Sequence, residues 1–313
     1  MALDNPFAGH ELLSPTLSHA TAEQLLGNHY GRSGTLTPLG SHQDQNFLVT
    51  AADGRFVLKI SNPGFTRVGL EAQNAAMLQL AQRGVDFRAP IPVADVDGQL
   101  IGQFEDKNRT FDVRLVTFID GRPLSDFEYL APVVLQAHGS LAARAAHALA
   151  DFDHPGLDRV LQWDCRRASD VVSALVGVVA DVDLRNDVVE LTNRTQVALD
   201  LLSDQLRLGV IHADVTDVNV VASLDASGRP IPDGLIDFGD MLRTWVVSDV
   251  AVAAVSLIAH DFNRPLEITT EILRGFHRHY PLIEAEVEAL WPLVVARAAA
   301  CCVSSEQQAA LEP

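Results

Sequence analysis

Two short polar segments in the last third of the chain carry residue types that suit the chemistry of phosphate groups. The first runs from His212 to Asn219 and reads H-x-D-x-x-x-x-N, and the second, 236–240, reads I-D-F-G-D. Carboxylate and amide oxygens are the ligands that Mg²⁺ prefers, so Asn219 and Asp237 are candidates to hold this ion against phosphates. Asp214 is then available to accept the proton of an attacking hydroxyl. The combination predicts phosphoryl transfer, which depends on charge neutralisation more than on covalent help.

The spacing brings these groups together if the chain between them forms a hairpin. Glycines and prolines cluster over 228–234, so residues 218–222 and 235–238 are predicted to be two short strands joined by a turn. Asn219 and Asp237 would lie side by side in that hairpin. An H-x-D by itself is a weak signal, and the whole pattern at this spacing is typical of kinases. The alternative is that D-F-G is only a turn and that the histidine is only a buried packing residue.

The first part of the chain has the alternating pattern of an antiparallel sheet. A hairpin turn is predicted at Asp53-Gly54, and a helix at 20–30 precedes the sheet. One helix, over 68–82, is inserted after the third strand. The predicted strands cover 35–39, 45–50, 55–61, 91–96, 98–104 and 110–119.

Lys59 lies in the middle of the third strand, in the mostly apolar stretch V-L-K-I. A buried ammonium without a partner is costly, so this lysine needs a carboxylate nearby. Glu71 is the only acid in the following helix and is the predicted partner. In kinases a lysine at this place contacts the nucleotide phosphates. The alternative is a lysine on an edge strand that points into water.

Beyond residue 120 the pattern becomes largely helical, apart from the catalytic hairpin. We therefore expect an α+β fold with two lobes, like that of protein kinases: an antiparallel-sheet N-lobe over 1–120 and a mostly helical C-lobe over 121–313. The predicted C-lobe helices cover 129–151, 168–180, 185–208, 248–260, 265–280 and 282–302.

These motifs resemble those of the aminoglycoside phosphotransferase and choline kinase superfamily. Three stretches are most similar to its hydroxylysine-kinase-like branch: D-Q-N-F at 44–47, V-L-K-I-S-N at 57–62 and I-D-F-G-D-M at 236–241. The resemblance runs from about Leu25 to about Arg297. It implies a kinase fold, a nucleoside triphosphate as donor and a small molecule as acceptor.

The phosphate-binding loop departs from that of protein kinases, because no G-x-G-x-x-G is present. The corresponding strand–turn–strand covers 40–47, where backbone N–H groups and Ser41 are candidates to cap phosphates. The resemblance places the purine edge against the backbone of Val116–Phe118. The donor, ATP or GTP, stays open.

Further roles follow from the resemblance. His212 would brace the catalytic loop without taking a proton, and Asp249 would order the same loop through hydrogen bonds. Trp163 and Asp164 are candidates to line the acceptor pocket, although a tryptophan that anchors helix packing is an equal alternative. The extra acids Asp217 and Asp240 would bind a substrate ammonium or add to the metal site, or would only cap turns.

Charge and cysteine content restrict the class of protein. The formal net charge is −18 with a pI of about 4.8, and the absence of a basic stripe argues against nucleic-acid binding. An acidic surface steers cationic small molecules, or it only maintains solubility. The three cysteines form no disulfide framework and fit a reducing compartment. No signal peptide is evident over 1–6, and the longest apolar run, 246–259, is too short to cross a membrane. We expect a cytoplasmic protein without a membrane partner.

The sequence thus predicts a kinase that uses Mg²⁺ to transfer the γ-phosphoryl group of ATP or GTP. The expected acceptor is a hydroxyl of a small, cationic amino alcohol or hydroxylated amino acid. One alternative is an aminoglycoside or sugar phosphotransferase with the same chemistry. Another is a pseudokinase that binds nucleotide without turnover, against which the intact motif argues: Lys59, Asp214, Asn219 and Asp237.

Overall fold

A computed structural model describes residues 15–41, 43–106 and 109–311. Residues 1–6, which show no signal-peptide pattern, and His42 of the predicted phosphate loop lie outside these ranges. The chain divides into two compact units between Asp120 and Gly121. The amino-terminal unit runs to Asp120 and includes His154–Gly156, and the carboxyl-terminal unit takes Gly121–Asp153 and the chain from Leu157 onward.

The amino-terminal unit is an antiparallel sheet with one helix inserted after its third strand, as the sequence predicts. The strand order is β1-β2-β3-β6-β4, and β5 also pairs with β6. The elements are α1 (His19–Tyr30), β1 (Gly34–Leu39), β2 (Gln45–Ala51), β3 (Gly54–Ile60), α2 (Arg67–Arg83), β4 (Pro92–Val93), β5 (Gly102–Asp106) and β6 (Arg109–Thr117).

The period of two in β3 explains how this sheet presents Lys59. Phe56, Leu58 and Ile60 point into the core that the sheet shares with α1, so Lys59 faces the opposite side. The sheet differs from prediction over 91–104, where the two expected strands shrink to β4 and a shorter β5. Asp95 Oδ1 accepts the N–H groups of Asp97 at 3.0 Å and of Gln99 at 2.7 Å, and this turn takes the place of a ladder.

The carboxyl-terminal unit is mostly helical and contains two small antiparallel sheets, ordered β10-β9-β7 and β11-β8. Its elements are β7 (Arg122–Pro123), α3 (Pro132–Ala148), α4 (Ala168–Leu175), α5 (Val182–Asp200), β8 (Leu208–Ile211), β9 (Val220–Leu224), β10 (Pro230–Leu235), β11 (Leu242–Trp245), α6 (Ser248–His260), α7 (Pro265–His279) and α8 (Glu284–Leu311).

The predicted helices are present with shifted ends. The helix expected to reach residue 208 ends at Asp200. Leu208–Ile211 instead pairs in register with Leu242–Trp245. This pairing joins segments that are far apart in sequence, so a local sequence pattern does not predict it. Its consequence is a fixed strand immediately before the catalytic loop.

Helix α3 packs closely on α7 and also supports the catalytic loop. A Cβ atom on Gly139 would lie 2.0 Å from the Ile272 carbonyl oxygen, and one on Gly275 would lie 1.9 Å from that of Gln136. Only glycine permits this approach of the two backbones. One position before the first glycine, the buried His138 places Nε2 2.7 Å from the Val215 carbonyl oxygen. Because burial lowers its pKa to about 4, this histidine is a neutral donor.

Helix α8 is the one helix in the described ranges that is long and apolar enough to cross a membrane. The stretch Glu284–Ala310 has a mean hydropathy of 1.5, but 56% of that window is buried inside the protein. It packs against α4, α5 and α6, as the core helix of a globular unit does. Its length and composition are therefore weak evidence for a membrane span.

Candidate active site

The catalytic loop between β8 and β9 is held by hydrogen bonds to its backbone. Ala213 has a φ of 61°, a left-handed conformation that costs an alanine free energy. The fully buried Asp249 compensates, because its Oδ1 accepts the Ala213 N–H at 2.8 Å. This hydrogen bond holds the backbone immediately before Asp214.

His212 braces the same loop as a neutral imidazole. Its Nε2 lies 3.1 Å from the Ile236 carbonyl oxygen, and its Nδ1 accepts the Asp214 N–H at 3.3 Å. One tautomer, with the proton on Nε2, satisfies both contacts. Burial lowers the pKa of His212 to about 4, so it stays uncharged. The Phe238 ring packs edge-on against it with centroids 4.8 Å apart.

The hairpin of β9 and β10 brings the two predicted metal ligands together. The backbone N–H of Ile236 donates to the backbone carbonyl oxygen of Asn219 at 3.0 Å, so Ile236 lies opposite Asn219 and Asp237 is the next residue along the chain. The Asn219 side chain donates from Nδ2 to Asp214 Oδ2 at 2.5 Å. Asp237 is left-handed with a φ of 60°, and its Oδ1 accepts the Gly239 N–H at 3.1 Å. Amide, base and second carboxylate therefore form one cluster.

The electrostatics of this cluster favour a bound cation. Burial raises the pKa of Asp214 to about 6, with Arg297 opposing and Asp237 adding to the shift. Burial also raises the pKa of Asp240 to about 7, and repulsion from Asp214 and Asp237 adds to it. Carboxylates that repel one another gain from a divalent ion among them.

The donor set fits Mg²⁺ in particular. Among the described residues, no group of three or more His, Cys, Asp or Glu side chains is spaced to enclose a metal ion. Mg²⁺ is usually held by one or two carboxylates and completes its shell with water and substrate phosphates. Asn219 and Asp237, with Asp240 close by, match that pattern.

Two arginines, the half-buried Arg159 and the buried Arg297, neither of them predicted as functional, complete the surroundings of the cluster. Arg159 Nη2 donates to the Gly239 and Met241 carbonyl oxygens, the latter at 2.8 Å, and so fixes the turn after Asp237. Arg297 on α8 is only 5% exposed. In the sequence, Arg297 is the single charged residue inside the apolar run Leu293–Val303, and this isolation could have marked it as functional.

A cavity of about 490 Å³ adjoins the base within the carboxyl-terminal unit. This volume is in the range of small-molecule sites, about 300–1,000 Å³. Its lining contains both aliphatic and polar side chains. The lining residues are Asp214, Thr216, Asp217, Val218, Val252, Val255, Ser256, Ala259, His260, Arg297 and Cys301.

The structure places the predicted acceptor-pocket residues differently from one another. Asp217 lines the cavity, with Oδ1 accepting the Ser256 hydroxyl at 2.6 Å and Oδ2 3.8 Å from His260 Nδ1. Asp164 is wrong as a pocket residue, since it is 1% exposed and its carboxylate binds Arg166 and the Thr244 hydroxyl. Its Oδ1 also accepts the backbone N–H of Arg166 at 3.1 Å, so Asp164 caps the short 3-10 turn that follows it.

Trp163 lies under the cavity arginine and does not line the cavity itself. Its ring faces the Arg297 guanidinium at 4.8 Å from the ring centroid, and its carbonyl oxygen accepts from Arg297 Nη1 at 2.9 Å. The prediction that Trp163 lines the pocket is therefore corrected: Trp163 contacts Arg297, and Arg297 lines the cavity.

In the amino-terminal unit the carboxylate near Lys59 is not the predicted one. Lys59 Nζ lies 3.7 Å from Asp44 Oδ2, with both side chains largely buried. Glu71 is about half exposed and pairs instead with Arg67, one helical turn earlier, at 3.5 Å. The partnership assigned to Glu71 is thus corrected to Asp44. The reason is register, since β2 pairs with β3 and Asp44 immediately precedes β2.

The other predicted nucleotide contacts lie on the same unit. Ser41 Oγ accepts the Asp44 N–H at 3.2 Å and so shapes the loop before β2. Val116 is paired with Val57 and Pro92 inside the sheet. The Phe118 N–H already donates to the Arg55 carbonyl oxygen at 3.0 Å. A free N–H for a purine edge is therefore expected beyond the predicted segment.

The match to known proteins agrees with this architecture. The model of the phosphotransferase enzyme family, APH, matches residues 35–285. A hydroxylysine kinase of Danio rerio is 27% identical over 296 residues, covering 90% of this chain and 82% of that protein. The hydroxylysine kinase of Mus musculus is also 27% identical, over 320 residues, 96% of this chain and 84% of that protein.

Solved structures share the fold. An amicoumacin kinase in complex with AMP-PNP and Ca²⁺ has a TM-score of 0.72 at 15% identity, covering 93% of this chain and 87% of that one. A microcompartment-associated aminopropanol kinase has a TM-score of 0.67 at 20% identity, covering 93% and 94%. These similarities show a protein-kinase-like architecture. With the family model spanning most of its length, the chain belongs to the phosphotransferase enzyme family and is a small-molecule kinase whose acceptor group is a hydroxyl.

Proposed function

We propose that this kinase transfers the γ-phosphoryl group of ATP or GTP to the side-chain hydroxyl of a small amine-bearing metabolite. Hydroxylysine and other hydroxylated amino acids are the first candidates, followed by simple amino alcohols. The observation that carries the proposal is the cavity in which the Asp214 carboxylate and Asp217 lie together. The relatives named hydroxylysine kinase support the acceptor class.

Asp214 is the proposed base. Its pKa, raised to about 6, still leaves a carboxylate at neutral pH that can take the proton of an acceptor hydroxyl. The hydrogen bond from Asn219 Nδ2 orients this carboxylate. Because that bond uses Nδ2, the side-chain oxygen Oδ1 of Asn219 is left to hold Mg²⁺ together with the Asp237 carboxylate. When bound, Mg²⁺ supplies charge neutralisation for the phosphates.

The amino-terminal unit supplies the proposed donor site. Lys59, whose Nζ lies 3.7 Å from Asp44 Oδ2, is the proposed contact for phosphate oxygens. Ser41 and the loop after β1 are candidates to cap them. Backbone groups alternate sides along a strand, and the Phe118 N–H points to β3. The next backbone N–H that points in the same direction is two residues further on, at Asp120. We therefore propose that the purine edge forms its hydrogen bonds with the backbone between Phe118 and Asp120.

The charges of the protein support the proposed acceptor class, and its cysteines support the proposed compartment. Asp217 offers a carboxylate to an ammonium group, while the valines of the cavity suit methylene groups. The net charge of −18 favours a cationic acceptor. The free cysteines in the described residues fit the reducing cytoplasm.

A coupled ADP- or GDP-release assay tests the proposal with hydroxylysine, amino alcohols, sugars and aminoglycosides. We expect turnover with an amine-bearing small acceptor, and a loss of about 10²–10⁴ in kcat for Asp214→Asn with nucleotide affinity retained. Asp217→Asn is the matched control, since it removes the same charge nearby and should raise the acceptor KM instead. Turnover of neutral sugars alone, or an Asp214→Asn enzyme within a few-fold of the parent, would contradict the assignment.

A further inference from the structure

Arg297 is a buried cation on the wall of the acceptor cavity. It is 5% exposed and borders the cavity together with Asp214 and Asp217. Its guanidinium is fixed from one side, because Nη1 donates to the Trp163 carbonyl oxygen at 2.9 Å and the indole ring lies 4.8 Å beneath it. A guanidinium has five N–H donors, and only one of them is engaged by a described group.

No carboxylate of the described residues lies within 4.0 Å of the Arg297 guanidinium. Asp214 and Asp240 influence it only through space. A buried charge without a contacting counter-ion is costly, and an anionic group of a ligand in the cavity would offset part of that cost. The rigid fork of an arginine matches a carboxylate in two parallel hydrogen bonds.

The opposite charge lies on the same cavity. Asp217 has its Oδ1 on the Ser256 hydroxyl and its Oδ2 near His260. The lining of the same cavity also includes the aliphatic side chains of Val252 and Val255. One cavity thus offers a cation, an anion and an apolar stretch beside the base.

We propose that Arg297 is the carboxylate receptor of the acceptor site and that Asp217 receives the ammonium. The acceptor is then a zwitterionic hydroxy amino acid and not its decarboxylated amino alcohol. This inference rests on the proposed function and narrows its substrate class. Trp163 is a positioning residue, because it holds the guanidinium and does not touch the acceptor.

The test compares acceptors that differ only in the carboxylate. Hydroxylysine is paired with its decarboxylated amino alcohol, and homoserine with 3-aminopropan-1-ol, for the wild type, Arg297→Gln and Arg297→Lys. Arg194→Gln, a change at an exposed arginine with 73% side-chain exposure, controls for loss of a positive charge. The readout is the ratio of kcat/KM between the two members of each pair.

We expect the wild type to prefer the carboxylate-bearing member by about 10²-fold, the value of one strong charged hydrogen-bond pair. Arg297→Gln should collapse that ratio mainly through KM, Arg297→Lys should keep part of it, and Arg194→Gln should keep all of it. The wild-type comparison needs no variant, so a failure of Arg297→Gln to fold does not remove the test.

Two results would overturn the inference. If kcat falls equally for both members in Arg297→Gln, the arginine serves the base or the transferred phosphoryl group and not the acceptor carboxylate. If the wild type turns over amino alcohols as well as amino acids, the receptor role is wrong while the proposed function stands. Turnover of neutral sugars alone would refute both.

Discussion

The support of the catalytic loop by Asp249 gives the protein a predictable dependence of stability on pH. Asp249 is fully buried, and its Oδ2 has no hydrogen-bond partner among the described residues. Burial raises its pKa to about 7, with Asp214 adding to the shift while the backbone N–H groups and Arg297 oppose it. The folded state therefore keeps a proton that the unfolded chain releases at a much lower pH.

The sign of the effect follows from proton linkage. Between the unfolded pKa of about 3.9 and the folded pKa, the folded state binds the extra proton, so stability falls as pH rises through this window. A shift from about 3.9 to about 7 corresponds to about 4 kcal/mol as an upper bound. The loss should be complete about one pH unit above the folded pKa.

Asp249→Asn imitates the protonated acid. It keeps an oxygen to accept the Ala213 N–H, whose hydrogen bond measures 2.8 Å, and it removes the titration. We expect this variant to match the parent near pH 4 and to exceed it by several kcal/mol near pH 8, on the scale set by linkage. Asp249→Ala is the contrast, because it loses the hydrogen bond and should be less stable than Asp249→Asn by about 1–3 kcal/mol at every pH.

Urea unfolding of the three proteins across this pH range, followed by tryptophan fluorescence, measures the differences. Titrations of groups distant from Asp249 are shared and cancel between parent and variant, whereas the coupling to Asp214 is part of the measured difference. A difference between Asp249→Asn and the parent that stays constant with pH, or shrinks as pH rises, would refute the reasoning.

Two further predictions concern the nucleotide. Asp237→Ala should abolish the Mg²⁺ dependence of nucleotide affinity and Asn219→Ala should only weaken it, since one ligand carries a full charge and the other a carbonyl dipole; nucleotide titrations with and without Mg²⁺ decide this, and an unchanged Mg²⁺ dependence in Asp237→Ala would remove the assignment. Asp44→Asn should raise the nucleotide KM by about tenfold or more, because Lys59 loses its carboxylate. Glu71→Gln is the matched control and should change that KM less than threefold, since its partner is the exposed Arg67; equal effects of the two changes would restore the originally predicted pair.

Local patterns were enough wherever the relevant residues are close in sequence. The Asp53-Gly54 turn and the helix after the third strand depend on residues within one turn or hairpin of each other. Helix α2 begins after Thr66, whose Oγ1 accepts the Gly69 N–H at 3.3 Å, and ends at Gly84 with a φ of 59°. The hairpin that joins Asn219 to Asp237 is of the same kind.

Long-range contacts were not accessible in this way. The pairing of Leu208–Ile211 with Leu242–Trp245 converted a predicted helix end into a strand. Asp164 had the right residue type for an acceptor pocket, but its carboxylate is consumed by Arg166 and Thr244. A side chain's type states which bonds it can make, and its packed neighbours decide which of them it makes.

The sequence by itself indicated the kinase chemistry of this protein, because a candidate base, an amide and a candidate metal-binding carboxylate at fixed spacing around one hairpin leave few other uses. It also determined the class of fold, through periods of two and of 3.6 that follow from backbone geometry. Only the tertiary structure decided that Asp44 accompanies Lys59 and that Arg297, from a helix some eighty residues beyond the base, borders the acceptor cavity. Such partnerships arise when distant segments pack, and burial then sets the free energy of each charge that they enclose.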